Sequence, residues 1–161
     1  MRKTLIIAVV ALTASQFALA WGDAPTFRVG GGLLGGRKVP RTPGMSIGID
    51  LKPPRPVGIG IFSDFYLATE DGHKRPTTFV GVNALCEPSS IPPSREERRR
   101  VRAYFGGGFG LMSSSVSRAF VNGVVGGNIR VVGEVQLFIQ TRFYCMSKDR
   151  WNTGLHVGVS F

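Results

Sequence analysis

Acidic side chains are scarce in this chain. Ten Asp and Glu stand against twenty Lys and Arg in 161 residues, a formal net charge of +10. Histidine and cysteine occur only twice each, and neither a metal nor a cofactor is expected. Beyond the first 20 residues there is no run of 18 apolar residues, which excludes a membrane-spanning helix there. Nor does any later stretch of a dozen residues put apolar side chains at i, i+3, i+4 and i+7, so amphipathic helices are not expected either. Glycine is abundant, at 22 residues, but shows no G-X-Y period and no longer repeat.

What the sequence does contain begins with an exported start. Arg2 and Lys3 precede the apolar stretch from Leu5 to Leu12, and Ala18-Leu19-Ala20 has the A-x-A form of a cleavage site. Residues 1–20 therefore read as a signal peptide and 21–161 as one domain. Export argues against nucleic acid as the partner of the basic charge, which clusters in turns rather than along a helix or an aromatic platform. Anionic lipid headgroups suit it better.

Residue-by-residue alternation recurs through the rest of the chain, and eight strands are predicted: 25–35, 44–52, 57–67, 77–86, 100–112, 117–130, 134–144 and 152–161. In the third, Val57, Ile59, Ile61, Phe65 and Leu67 oppose Gly58, Gly60, Phe62, Asp64 and Tyr66. In the last, Trp151, Leu155, Val157, Val159 and Phe161 oppose Gly154, His156, Gly158 and Ser160. Every Arg, Lys, Asp and Glu within the predicted strands falls on the polar face. Aromatics gather near strand ends, with Phe65, Phe143 and Trp151 toward one rim and Phe27 and Phe161 toward the other.

The final strand, closing on Phe161, resembles the insertion signal of bacterial outer-membrane β-barrel proteins. The stretch Arg102-Ala-Tyr-Phe-Gly-Gly-Gly-Phe-Gly-Leu111, the glycine-rich run from Gly123 to Arg130 and the strand Val135 to Phe143 together resemble the small eight-stranded members of that class. The resemblance implies an all-β, eight-stranded antiparallel up-and-down transmembrane barrel in the outer membrane. It also implies recognition by the barrel assembly machinery through the strand ending at Phe161. A monomer is expected. The same alternation fits a soluble periplasmic lipocalin-like carrier with the faces inverted, and that alternative stays open.

In the barrel reading, the polar face forms a structural network in the lumen: Arg28, Asp50, Asp64, Asn83, Arg102, Asn122, Arg130, Glu134, Gln136, Gln140, Arg142 and His156. Arg28 should meet Asp50 across the first hairpin and Arg130 should meet Glu134 across a short turn, because a buried charge needs a partner. An eight-stranded barrel is filled by side chains, and the glycines save space inside it. With both termini periplasmic, the opposite rim carries Arg37, Lys38, Arg41, Lys74, Arg75, Lys148 and Arg150, candidates for contact with lipopolysaccharide phosphates.

No catalytic residue is assigned. Gly30-x-Gly32-x-x-Gly35 matches a dinucleotide fingerprint in form, but no helix follows to hold a phosphate. Neither His73 nor His156 is followed by Ser, as the local pattern of lipid A deacylases would require. The expected function is non-enzymatic, an envelope-structural or surface-interaction role, with a lipid-modifying enzyme as the alternative. Cys86 and Cys145 fall at opposite rims of this topology and should not form a disulfide.

Overall fold

The computed structural model describes residues 25–36, 39–51, 57–70, 73–87, 101–147 and 150–161. The expected signal peptide lies outside them. Eight antiparallel strands, β1 (Thr26–Gly36), β2 (Val39–Leu51), β3 (Val57–Glu70), β4 (His73–Cys86), β5 (Val101–Ser113), β6 (Arg118–Val132), β7 (Val135–Ser147) and β8 (Arg150–Ser160), pair in chain order and close into a barrel. Closure joins β1 to β8 from Arg28↔Ser160 to Gly36↔Asn152. Beyond the last strand residue, Phe161 N donates to Phe27 O at 3.0 Å and Phe27 N to Phe161 O at 2.8 Å. The chain end thus completes the seam, and the Phe27 and Phe161 rings stack on its outside at 6.2 Å.

The barrel has two ends. The proximal end carries the start of β1, the end of β8 and the even-to-odd connections; the distal end carries the other four. Several strands reach further distally than the sequence predicts, and proline explains why. β2 begins at Val39 rather than 44, and β4 at His73 rather than 77. Pro43 pairs only with Leu33 of β1, since the ladder to β3 starts at Gly44↔Tyr66. Pro76 pairs only with Leu67 of β3, since the ladder to β5 starts at Thr78↔Ser113. Each proline sits where its strand has a vacant edge, the one setting in which a missing N–H costs no ladder bond.

The two faces sort as the alternation implies. Val29, Leu33, Val82, Phe109, Val125, Ile139 and Val157 are exposed outside, whereas Phe62, Tyr66, Phe79, Phe120, Phe138 and Tyr144 are buried inside. One charged side chain departs from the rule. Arg41 shares the exposed outward phase of Pro43 and Met45, because β2 runs on through the segment expected to be a loop. It lies distal to the last β2–β3 pair, beyond the uncharged band.

Large and small residues alternate across the interior, which lets so narrow a barrel fill without clashes. The register row Phe138↔Gly158↔Gly30 shows how. A Cβ on Gly158 would lie 2.2 Å from Val29 O and 2.4 Å from the Gly30 Cα, with the Phe138 ring at 2.9 Å. Gly158→Val should therefore open the seam and lower unfolding stability by about 1–3 kcal/mol, the usual cost of overpacking. Gly31→Val, where a Cβ would meet nothing within 4 Å, should have little effect in the same denaturant titration.

Cys86 closes β4 at the proximal end, opposite Val57, and Cys145 lies distally, opposite Trp151. Both carry thiols rather than a disulfide. Disulfide formation needs Cα atoms within about 7 Å, and the length of the barrel separates these. Mass spectrometry on the unreduced, denatured chain should count two alkylatable thiols.

Candidate functional site

The side chains that could do chemistry lie inside the barrel, in two tiers. The proximal tier centres on Arg28. Its guanidinium forms an ion pair with Asp50, and Nη1 donates to Tyr104 Oη at 2.5 Å and to Gln140 Oε1 at 3.1 Å. Tyr104 Oη donates in turn to Gln140 Oε1 at 2.9 Å. Arg28 is opposite Gly48 rather than Asp50 in the register, so the ion pair is a diagonal one, two residues along β2.

The second tier centres on Asp64, which is fully buried. Oδ2 accepts from Arg142 Nη1 and from Tyr144 Oη, and Oδ1 accepts from Ser46 Oγ at 2.5 Å. His156 Nε2 stands 3.8 Å from Oδ1 and 2.5 Å from Tyr66 Oη. The Arg142 guanidinium also covers the Phe62 ring, 3.6 Å from its centroid. A buried carboxylate and a buried guanidinium are tolerable only when paired and hydrogen-bonded to this extent. The pairing spans the lumen from β3 to β7 and ties opposite walls together.

On the distal side of these tiers sits an aromatic plug of Leu34, Phe62, Tyr66, Phe79, Phe120 and Tyr144, with Met112 and Met146 packed against it. Phe79 and Tyr144 approach to 4.3 Å between centroids, and Phe120 meets both edge-on at 5.5 Å. Between the tiers remains a cavity of about 20 Å³ lined by Arg28, Ser46, Asp50, Asn83, Gln140 and Arg142. That is room for about one water, so the described interior is a packed core and not a channel.

Of the residues singled out by alternation, Arg28, Asp50, Asp64, Asn83, Asn122, Gln136, Gln140, Arg142 and His156 are buried in the interior. Asn122 Nδ2 donates to Asn83 Oδ1 at 2.7 Å, and Gln140 is opposite His156. Arg102 and Arg130 are half-buried on the same inward phase at the proximal end. Glu134 is a correction. The two-residue turn Gly133–Glu134, with Gly133 at φ 56°, ends β6 later and starts β7 later than expected. Its side chain is 84% exposed, outside the lumen, and only 3.7 Å from Arg130 by virtue of the turn.

Tyr104 and Tyr144 were not singled out, yet both hold the charges in place. Their signal was their position on the inward phase of β5 and β7. Among the rim cations, Arg41 and Arg75 have exposed side chains. Arg75 belongs to β4 rather than to a loop. The backbones of Lys74 and Arg150 lie in β4 and β8, while their side chains, and all of Arg37, Lys38 and Lys148, fall outside the described residues. Among the described residues no group of three His, Cys, Asp or Glu converges on a metal-sized site.

No known family and no curated protein matches the sequence. The fold, by contrast, is well represented among solved structures. It is similar to Neisserial surface protein A, at 14% identity and a TM-score of 0.62, covering 84% of this chain and 94% of that one. It is also similar to the N-terminal β-barrel domain of Pseudomonas aeruginosa OprF, at 16% identity and a TM-score of 0.53, covering 84% and 97%. The outer membrane enzyme PagL shares it at 7% identity and a TM-score of 0.57, covering 86% and 99%. At these identities the likeness is one of fold.

Proposed function

We propose that this protein is a non-enzymatic outer-membrane barrel with an envelope-structural or surface-interaction role, its proximal end in the periplasm and its basic distal rim against lipopolysaccharide. One observation carries the reading. Between the Phe27–Phe161 rim and the rim of Phe65, Phe143 and Trp151, the described outward side chains include no charge, while six large apolar side chains on β7 and β8 alone are exposed: Leu137, Ile139, Phe143, Leu155, Val157 and Val159. A belt of this kind is suited to lipid and not to water.

A shallow outer groove of about 970 Å³ on β3 to β7 supports the same reading, being lined by Val80, Val82, Phe109, Leu111 and Val121. The packed lumen supports a structural role over a conducting one. The Asp64–His156 pair has the residue types of a hydrolase, but both side chains are fully buried, leaving a lipid ester no approach to them. The exposed Arg41 and Arg75 suit phosphate contact.

Outer-membrane fractions run unboiled and boiled on a denaturing gel should show a compact band that converts on heating, and the purified barrel should leave labelled lipid A unaltered. Lipopolysaccharide should co-purify with it, less so with Arg41→Gln/Arg75→Gln. A chain found wholly in the soluble periplasm would refute the assignment, and lipid A turnover would refute its non-enzymatic part.

A further inference from the structure

The proximal mouth of the lumen holds more cationic groups than its carboxylates can pair. Four polar residues form one register row on the inner wall, Arg130↔Gln136, Gln136↔Ser160 and Ser160↔Arg28. Arg102 faces Asn128, two residues from Arg130 on the same face of β6, so Arg102 and Arg130 are diagonal neighbours. Arg28 is taken up by Asp50. Arg130 has only the exposed Glu134 at 3.7 Å, and Arg102 has no ion pair among the described residues.

The unpartnered polar atoms collect at the same place. Of seven buried side-chain N and O atoms without a hydrogen-bond partner among the described residues, four belong to this row and its neighbour: Arg28 Nε, Arg130 Nε, Asn128 Oδ1 and Ser160 Oγ. Asn128 and Ser160 are 5% and 0% exposed. Two guanidiniums side by side on a partly dehydrated wall repel each other, and buried donors left unmade are costly. Both conditions are relieved by one oxyanion.

We propose that this mouth is a binding site for a phosphate group. The Arg130 and Arg102 guanidiniums and the Ser160 hydroxyl would donate to its oxygens. Asn128 Oδ1 is an acceptor, and it would be met by a protonated phosphate oxygen; a carboxylate ionised at neutral pH offers no such donor. Arg guanidiniums present the planar donor pairs that phosphate takes. With the Arg130 side chain 33% exposed, the site is open to the proximal side. It rests on the proposed membrane topology only in calling that side periplasmic.

The test is titration of the folded mature barrel in detergent with inorganic phosphate, followed by ³¹P NMR line broadening and calorimetry. Saturable binding is expected, weakened about tenfold or more in Arg102→Gln and in Arg130→Gln, since each removes a charge-assisted hydrogen bond. Arg41→Gln, at the other end of the barrel, should bind as wild type does. Arg102→Lys and Arg130→Lys keep the charge and serve if the Gln variants do not give a heat-modifiable band. Glycerol phosphate binding as well as inorganic phosphate would place the site on headgroup-type esters; loss with the ester would place it on the free ion.

Absence of saturable binding overturns the proposal, as does equal binding of glutarate or equal weakening by Arg41→Gln. Binding that emerges only in Glu96→Gln/Glu97→Gln would also overturn it, because the cations would then be satisfied within the chain. The readout is independent of insertion into a membrane. A failed titration with a normal heat-modifiable band would leave the outer-membrane reading intact.

Discussion

Asp64→Ala should lower the unfolding free energy of the barrel by about 3–5 kcal/mol, the usual effect of stranding one member of a buried ion pair. Four groups converge on this carboxylate: Arg142 and Tyr144 on Oδ2, Ser46 on Oδ1, and His156 at 3.8 Å. Its removal leaves the Arg142 guanidinium unneutralised at 4% side-chain exposure, with only the Phe62 ring as a favourable contact. Asp64→Asn should cost less, because its amide oxygen still accepts one hydrogen bond. The double variant Asp64→Leu/Arg142→Met should recover most of the loss, since it removes both charges together. Urea titrations of the four proteins in one detergent give the coupling directly. Additive losses in the double variant would mean that the two residues do not depend on each other.

The second large effect is on assembly. Ile139, in the middle of β7, is exposed on the outward face, and Arg there should cost about 2–4 kcal/mol if that face meets hydrocarbon. Val116 is also apolar and exposed, but lies in the distal connection between β5 and β6. Arg at that position should cost about 0–1 kcal/mol, as near an interface. Outer-membrane yield should therefore collapse for Ile139→Arg and hold for Val116→Arg. In a water-soluble barrel neither substitution would be punished, and Ile139→Arg would improve solubility.

Much of the architecture was legible because a strand has a period of two and only one face can meet an apolar surrounding. Val57 to Leu67 and Trp151 to Phe161 carry that period almost without exception, and with them came strand number and face assignment. The distal ends were less legible. Pro43 and Pro76 read as strand breakers, and only the unequal heights of neighbouring hairpins turn them into edge residues. Glu134 was misplaced for a related reason: a two-residue turn with glycine at positive φ moves one residue from strand to turn.

The site was legible in its members but not in its pairing. Alternation puts Asp64, Arg142 and His156 inside, and the Arg28–Asp50 contact follows from one hairpin. That Asp64 pairs with Arg142 across the lumen, with Tyr144 and Ser46 completing its shell, depends on barrel diameter and stagger. Those quantities belong to the closed sheet and to no local stretch of sequence. The same holds for Arg102 and Arg130, which are 28 positions apart in the chain and become diagonal neighbours only through the β5–β6 register.

The central claim is that the oily face of this barrel is its outside and lies in a bilayer. It is tested most directly by a nitroxide scan along β7 in reconstituted membranes, with Cys86 and Cys145 replaced by Ser and single labels placed at 137 to 140. Labels at 137 and 139 should relax strongly with oxygen and weakly with a water-soluble nickel chelate, while those at 138 and 140 should be immobilised and shielded from oxygen. Oxygen accessibility at 138 and 140 with nickel accessibility at 137 and 139 would invert the barrel and contradict the account.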